Sequence, residues 1–104
     1  MSVRQVIEKQ LAENPIVLYM KGTPTFPQCG FSGKAVSILR ECGVEFMAVN
    51  ILDDDGIRQG IKDFGNWPTI PQLYVNAQLI GGSDILQELY QSGELHKILM
   101  KTQA

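Results

Sequence analysis

The chain has 104 residues, 44% apolar and 19% charged, a globular rather than disordered balance on the scale of one domain, residues 1–104. Its net charge of −2 argues against nucleic acid as a partner, which would want a basic face. Two cysteines, Cys29 and Cys42, are too few for a secreted disulfide scaffold; with no signal-like apolar core after Met1-Ser2-Val3-Arg4 and no membrane-length apolar run, a soluble protein of the reducing cytoplasm is expected.

Val3, Val6, Ile7 and Leu11 fall at helical spacing behind Ser2, an N-cap residue, and Asn14-Pro15 stops that helix. Ile16–Met20 is continuously apolar and β-rich, which predicts a strand covered on both faces. A loop over 21–28, with two prolines and a glycine, delivers the chain to Cys29, where a helix burying Ala35, Val36 and Leu39 begins and runs to Gly43. Residues 44–51 read as a second strand, parallel to the first across the helical crossover. Asp53 or Asp54 caps a third helix carrying Ile57, Ile61 and Phe64, which Gly65 ends. Two strands, 72–75 and 78–80, meet at Asn76-Ala77 as a hairpin. Gly81-Gly82-Ser83-Asp84 opens a helix with Ile85, Leu86 and Leu89 inside and Ser83 as a capping residue. Gly93 interrupts it, and Leu95, Ile98 and Leu99 mark a short last helix. This order predicts an α/β fold, a four-stranded mixed sheet flanked by helices, with the Cys29 loop at the carboxyl end of the first strand.

Cys29 stands where a helix starts, and the partial positive charge and free N–H groups there favour a thiolate. Three residues on, Ser32 cannot close a disulfide. Cys42 cannot either, because thirteen residues of helix span about 20 Å at ~1.5 Å per residue, and a disulfide needs Cα atoms within about 7 Å. Cys42 shares the apolar face of Val36 and Leu39 and reads as an inert core thiol. The residues describe a nucleophile or metal ligand with no resolving partner.

Lys21-Gly-Thr-Pro-Thr-Phe-Pro-Gln-Cys29-Gly-Phe-Ser32 resembles the active-site segment of monothiol glutaredoxins, and Trp67-Pro-Thr-Ile-Pro71-Gln and Gly81-Gly-Ser-Asp-Ile85 resemble two further signatures of that family in register. The likeness covers nearly the whole chain and points to the short members of bacterial cytoplasm and mitochondria, with a thioredoxin-like fold. It implies glutathione binding and a homodimer bridging one [2Fe-2S] cluster, with roles in cluster assembly, transfer to apo acceptor proteins and iron homeostasis. Cys29 is then both the reactive thiol and the iron ligand. One such cluster takes four thiolates, so two copies of Cys29 and two glutathione thiols make the set.

The resemblance also assigns the glutathione contacts. Lys21 and Arg58 face the carboxylate at one end of the tripeptide, and Lys62, one turn beyond Arg58, either adds to that field or is solvated. Ile70 precedes a cis Pro71 and offers its backbone N–H and C=O to an extended peptide, its side chain being a variable contact. Ser83 and Asp84 receive the γ-glutamyl end at a helix N-terminus. Many relatives carry a cysteine where this chain has Ser83, so dithiol chemistry within one chain recedes further. Trp67-Pro68 reads equally as packing, dimer surface or ligand contact. Two other functions stay open: a monothiol oxidoreductase that removes glutathione from mixed disulfides, and an adaptor sharing its cluster with a BolA-family partner. The loop before Cys29, Phe31 in place of a tyrosine and Ser32 favour the cluster carrier. Asp53-Asp54-Asp55 lacks calcium-loop spacing, His96 reads as surface, and neither a phosphatase loop nor a phosphate-binding loop fits.

Overall fold

The computed structural model describes residues 1–103. Ser2 caps α1 (Val3–Glu13) through a reciprocal capping box with Gln5, and Asn14 in extended conformation ends the helix before Pro15. The strands are β1 (Ile16–Met20), β2 (Met47–Asn50), β3 (Gln72–Val75) and β4 (Gln78–Gly81), in the sheet order β2-β1-β3-β4. β1 is parallel to β2 and antiparallel to β3, and β3 pairs antiparallel with β4.

Alternation along β1 divides the core in two. Ile16, Leu18 and Met20 face α2 (Gly30–Glu41), α4 (Ser83–Ser92) and α5 (Glu94–Gln103) through Ala35, Val36, Leu39, Leu86, Leu95 and Leu99. Val17 and Tyr19 face α1 and α3 (Asp55–Gly65) through Ile7, Leu11, Ile57 and Ile61. A strand covered on both sides has no polar positions, which is why Ile16–Met20 reads as one apolar run. Among the described residues no helix is long and apolar enough to cross a membrane.

Three boundaries differ from the sequence reading. β2 is shorter than 44–51: β1 begins at Ile16, and its parallel register Val17↔Met47 leaves residues 44 and 45 with no β1 residue opposite them. At the far end the Asn50 side chain accepts from Leu52 N–H at 3.0 Å and turns Ile51–Asp53 into a 3₁₀ turn. Asp54 then caps α3, accepting from Gly56 and Ile57 N–H. α3 includes Gly65, and Asn66, in the left-handed region at φ 49°, is the residue that ends it. Gly65 is required instead by close approach, since a Cβ there would overlap the Tyr74 hydroxyl. The third difference is at α4, where Gly82 occupies the N-cap position and makes no side-chain bond. Ser83 is the first helical residue, buried against the core, so it does not cap. The hairpin is as expected, with both Asn76 and Ala77 at positive φ, the arrangement of a tight type I′ turn.

Candidate functional site

β1 delivers Lys21 to its carboxyl end, and a set of hydrogen bonds folds the next seven residues back so that Cys29 returns beside it. Gln28 N–H donates to Lys21 C=O at 2.9 Å, Gly22 bridges to Pro27, and Thr23 N–H donates to Phe26 C=O at 3.2 Å. Two side chains fix this loop from below. The fully buried Ser32 accepts from Lys21 N–H at 3.0 Å, and Asn50, at the end of β2, accepts from Gly22 N–H at 2.9 Å. Ser32 therefore joins the strand end to the first turn of α2, beyond its inability to form a disulfide.

Cys29 is the N-cap residue of α2, in extended conformation with a half-exposed side chain that makes no capping bond. Its thiol pKa is lowered. The backbone N–H of Ser32 is the largest cause, acting against partial burial and helped by the Phe31 N–H, the Lys21 ammonium and the Ser32 hydroxyl. Cys42 is buried at the far end of α2 and is shifted the opposite way, by burial first and by Glu41 second. The two thiols should separate on alkylation. Iodoacetamide at neutral pH is expected to modify Cys29 and spare Cys42, with a Cys29 rate that falls as pH drops through a midpoint below that of an ordinary thiol at about 8.5. A midpoint at or above that value, read by mass spectrometry across pH, contradicts this electrostatic reading.

Cys29 opens onto a cavity of about 500 Å³. Lys21 and Phe31 flank the thiol, Lys62 reaches in from α3, the 67–71 segment forms one wall, and Gly82, Ser83, Asp84 and Ile85 at the start of α4 form the other. The Ile70–Pro71 bond is cis. Ile70 lines the cavity but also packs into the α1/α3 core, at 8% exposure, so its side chain is mainly structural. Asp84 is exposed in the first turn of α4. Arg58 is exposed on α3 one turn before Lys62 and is not among the lining residues, whereas Lys62 is. The structure thus brings Lys21, Cys29, Ile70, Ser83 and Asp84 together, adds Lys62, and leaves Arg58 outside the cavity wall.

Trp67 also lines this cavity, and its indole Nε1 is buried without a hydrogen-bond partner among the described residues. A Cβ at Gly82 would stand 3.2 Å from Pro71 C=O and 3.6 Å from that Nε1, so the absence of a side chain at Gly82 lets the Trp67 wall close on α4. Two contributors escape a reading of the sequence: Asn50, and the buried Gln72 behind the 67–71 wall. The one sign of the latter is a glutamine opening an otherwise apolar strand.

Among the described residues no three His, Cys, Asp or Glu side chains cluster as a metal site. Phe26 and Phe31, three residues before and two after Cys29 in the chain, are exposed at 71% and 62%.

The glutaredoxin family model matches residues 16–80. The chain is 54% identical over 104 residues to "Monothiol glutaredoxin-5, mitochondrial" of Schizosaccharomyces pombe, an alignment covering 97% of this chain and 71% of that protein. It is 51% identical over 98 residues to "Glutaredoxin 4" of Escherichia coli K12, covering 94% and 85%. The solution structure of reduced poplar apo GrxS14 superposes with a TM-score of 0.86 at 44% identity, covering 97% of this chain and 93% of that one.

Proposed function

Because the chain belongs to the glutaredoxin family, in its monothiol branch and with the thioredoxin-like fold, we propose that it binds glutathione and carries a [2Fe-2S] cluster shared between two copies, passing it to apo acceptor proteins. The observation that carries this reading is a single activated thiol, Cys29, at the mouth of a cavity with cations on one side and a helix N-terminus on the other.

Glutathione is an extended tripeptide with a carboxylate at each end and an ammonium at one. Lys21 and Lys62 suit the glycyl carboxylate, with Arg58 one turn beyond on the same helix. The free N–H groups at the start of α4 suit the γ-glutamyl carboxylate, and Asp84 suits the ammonium beside it. The segment around Ile70 offers backbone for the middle of the peptide, leaving the glutathione sulfur directed to Cys29. The cluster is cargo. Four thiolates hold it; each chain supplies Cys29, and each bound glutathione supplies one more. Two of the four ligands are then exchangeable small molecules, which favours release by ligand exchange, including to a BolA-family partner.

The lowered pKa of Cys29 supports a second reading, removal of glutathione from mixed disulfides. The Cys29 thiolate attacks the glutathione sulfur, the substrate leaves as a thiolate, and a second glutathione thiolate then attacks the Cys29 adduct, releasing glutathione disulfide. Both readings use the same thiol, so turnover and cluster loading must be measured together. Anaerobic reconstitution with iron, sulfide and glutathione should give about one iron per subunit in a dimer that collapses when glutathione is removed. A colourless monomer that turns over glutathione mixed disulfides rejects the carrier and leaves the enzyme.

A further inference from the structure

The wall of the cavity that contains Trp67, Thr69 and Ile70 is a loop, and a loop presents backbone groups accurately only if something fixes it. Its main-chain support is slight: Trp67 N–H donates to Lys62 C=O at 3.0 Å, at the end of α3. Among the described residues, one side chain adds two more bonds to the wall. Gln72, the first residue of β3, is completely buried behind the wall and does not line the cavity. Its Nε2 donates to Trp67 C=O at 3.0 Å and to Thr69 C=O at 3.3 Å. Its Oε1 accepts from the Tyr74 hydroxyl at 3.0 Å. Both amide hydrogens and the amide oxygen are therefore used, which is the condition under which a buried polar group rigidifies its surroundings.

The anchor behind Gln72 is itself fixed. The Tyr74 hydroxyl lies against Gly65 at the end of α3, where a Cβ would collide with it. The Tyr74 ring meets Tyr19 of β1 edge-on at 5.6 Å, and the Tyr19 hydroxyl donates to Gln10 of α1 at 2.8 Å. Gln72 thus connects the cavity wall to the sheet centre and to two helices. A side chain with no exposure and no place in the cavity lining, spanning two carbonyls of the same short loop, is arranged to set that loop's shape.

We propose that Gln72 is a positioning residue for ligand binding: its amide, braced by Tyr74, holds the Trp67–Thr69 carbonyls so that the backbone at Ile70 is presented to the peptide part of glutathione. The ligand in this statement rests on the reading of function above; the clamp itself does not. Preorganisation of this kind acts on affinity by removing the cost of ordering the loop at the moment of binding.

Trp67 is the single tryptophan of the chain, so its fluorescence reports the wall directly. The test compares the wild-type protein with Gln72→Met, Tyr74→Phe and Leu99→Ala, the last a core truncation on the opposite face of the sheet. Glutathione affinity is read by calorimetry and exposure of the wall by acrylamide quenching of Trp67. Gln72→Met is expected to weaken glutathione binding about tenfold and to raise the quenching constant in the free protein. Tyr74→Phe shifts both in the same direction by less, and Leu99→Ala lowers the melting temperature while leaving both at wild-type values. Equal quenching and an affinity within about twofold of wild type for Gln72→Met and Tyr74→Phe overturn the proposal, as does an equal loss in Leu99→Ala. Raised quenching in the Gln72 variant alongside a wild-type protein that binds no glutathione upholds the clamp and rejects the ligand.

Discussion

Cys29→Ser is expected to lose the cluster completely on reconstitution and to lose all thiol reactivity at neutral pH, while melting at or above the wild-type temperature. The chemical loss follows from the proposed ligand set, in which the substitution removes the thiolate that each of two copies would supply, and a serine hydroxyl stays protonated. The gain in stability follows from position. Cys29 is the N-cap of α2, with φ −154° and ψ 137°, and makes no side-chain cap bond. Serine is among the preferred N-cap residues, worth ~0.5–1 kcal/mol over a side chain that does not cap, and the N–H groups of Phe31 and Ser32 that are directed at the sulfur are the ones it would use. The sign of the pH dependence is fixed by the lowered pKa. A group depressed in the folded state contributes stability above its unfolded value of about 8.5 and loses it as pH falls through the folded one. The advantage of serine is therefore greatest in acid, where Cys29 is protonated, and shrinks as pH rises past the folded value. Full cluster occupancy in the variant would place ligation elsewhere, and Cys42, the remaining thiol, is buried at the other end of the helix.

What could be read from the sequence is what local chemistry decides. Ser2 as a cap, the two-faced apolar run at Ile16–Met20, the helix starting at Cys29 and the Asn76-Ala77 turn each depend on residues within a few positions of one another. What escaped depends on partners far away in the chain. Residues 44 and 45 find no strand partner because β1 begins at Ile16, a fact about register rather than about those two residues. Asn50 holds Gly22 across 28 positions, and no periodicity in either segment announces it. Gly65 reads as a helix terminator by composition, yet it is small because Tyr74 lies against it, and Asn66 turns the chain instead. At the site the same division holds. Cys29, Lys21, Ser83 and Asp84 belong to contiguous motifs and converge on the cavity. Between Arg58 and Lys62, one turn apart, helical phase alone could not say which reaches it, and the structure selects Lys62 for the wall.

The loop over 21–28 depends most on a single backbone conformation, so Gly22→Ala should be the most damaging substitution that leaves every functional side chain in place. Gly22 has φ +90°, where a residue with a Cβ is strained. An added Cβ would lie 2.5 Å from Phe26 C=O and 2.6 Å from Gln28 N, both main-chain atoms of the same loop that cannot swing aside as a side chain would. Relief requires the loop to open, breaking the Gly22–Asn50 and Gln28–Lys21 hydrogen bonds at 2.9 Å each. With ~0.5–1.5 kcal/mol net for each bond and ~1–2 kcal/mol for the unfavourable φ, the cost is about 3 kcal/mol. At ~4–8 °C per kcal/mol for a domain of this size, the melting temperature should fall by about 12 °C or more. Because these bonds fix where Cys29 returns beside Lys21, the variant should also lose cluster loading and most of its thiol activation. Gly30→Ala provides the contrast: it lies on the same side of the site, next to Cys29, but a Cβ there meets nothing within 4 Å. That protein should melt at or above the wild-type temperature, because alanine restricts the unfolded chain at no steric cost. Equal behaviour of the two variants would mean that the loop is not held by its own main chain, and that the position of Cys29 is set by α2 alone.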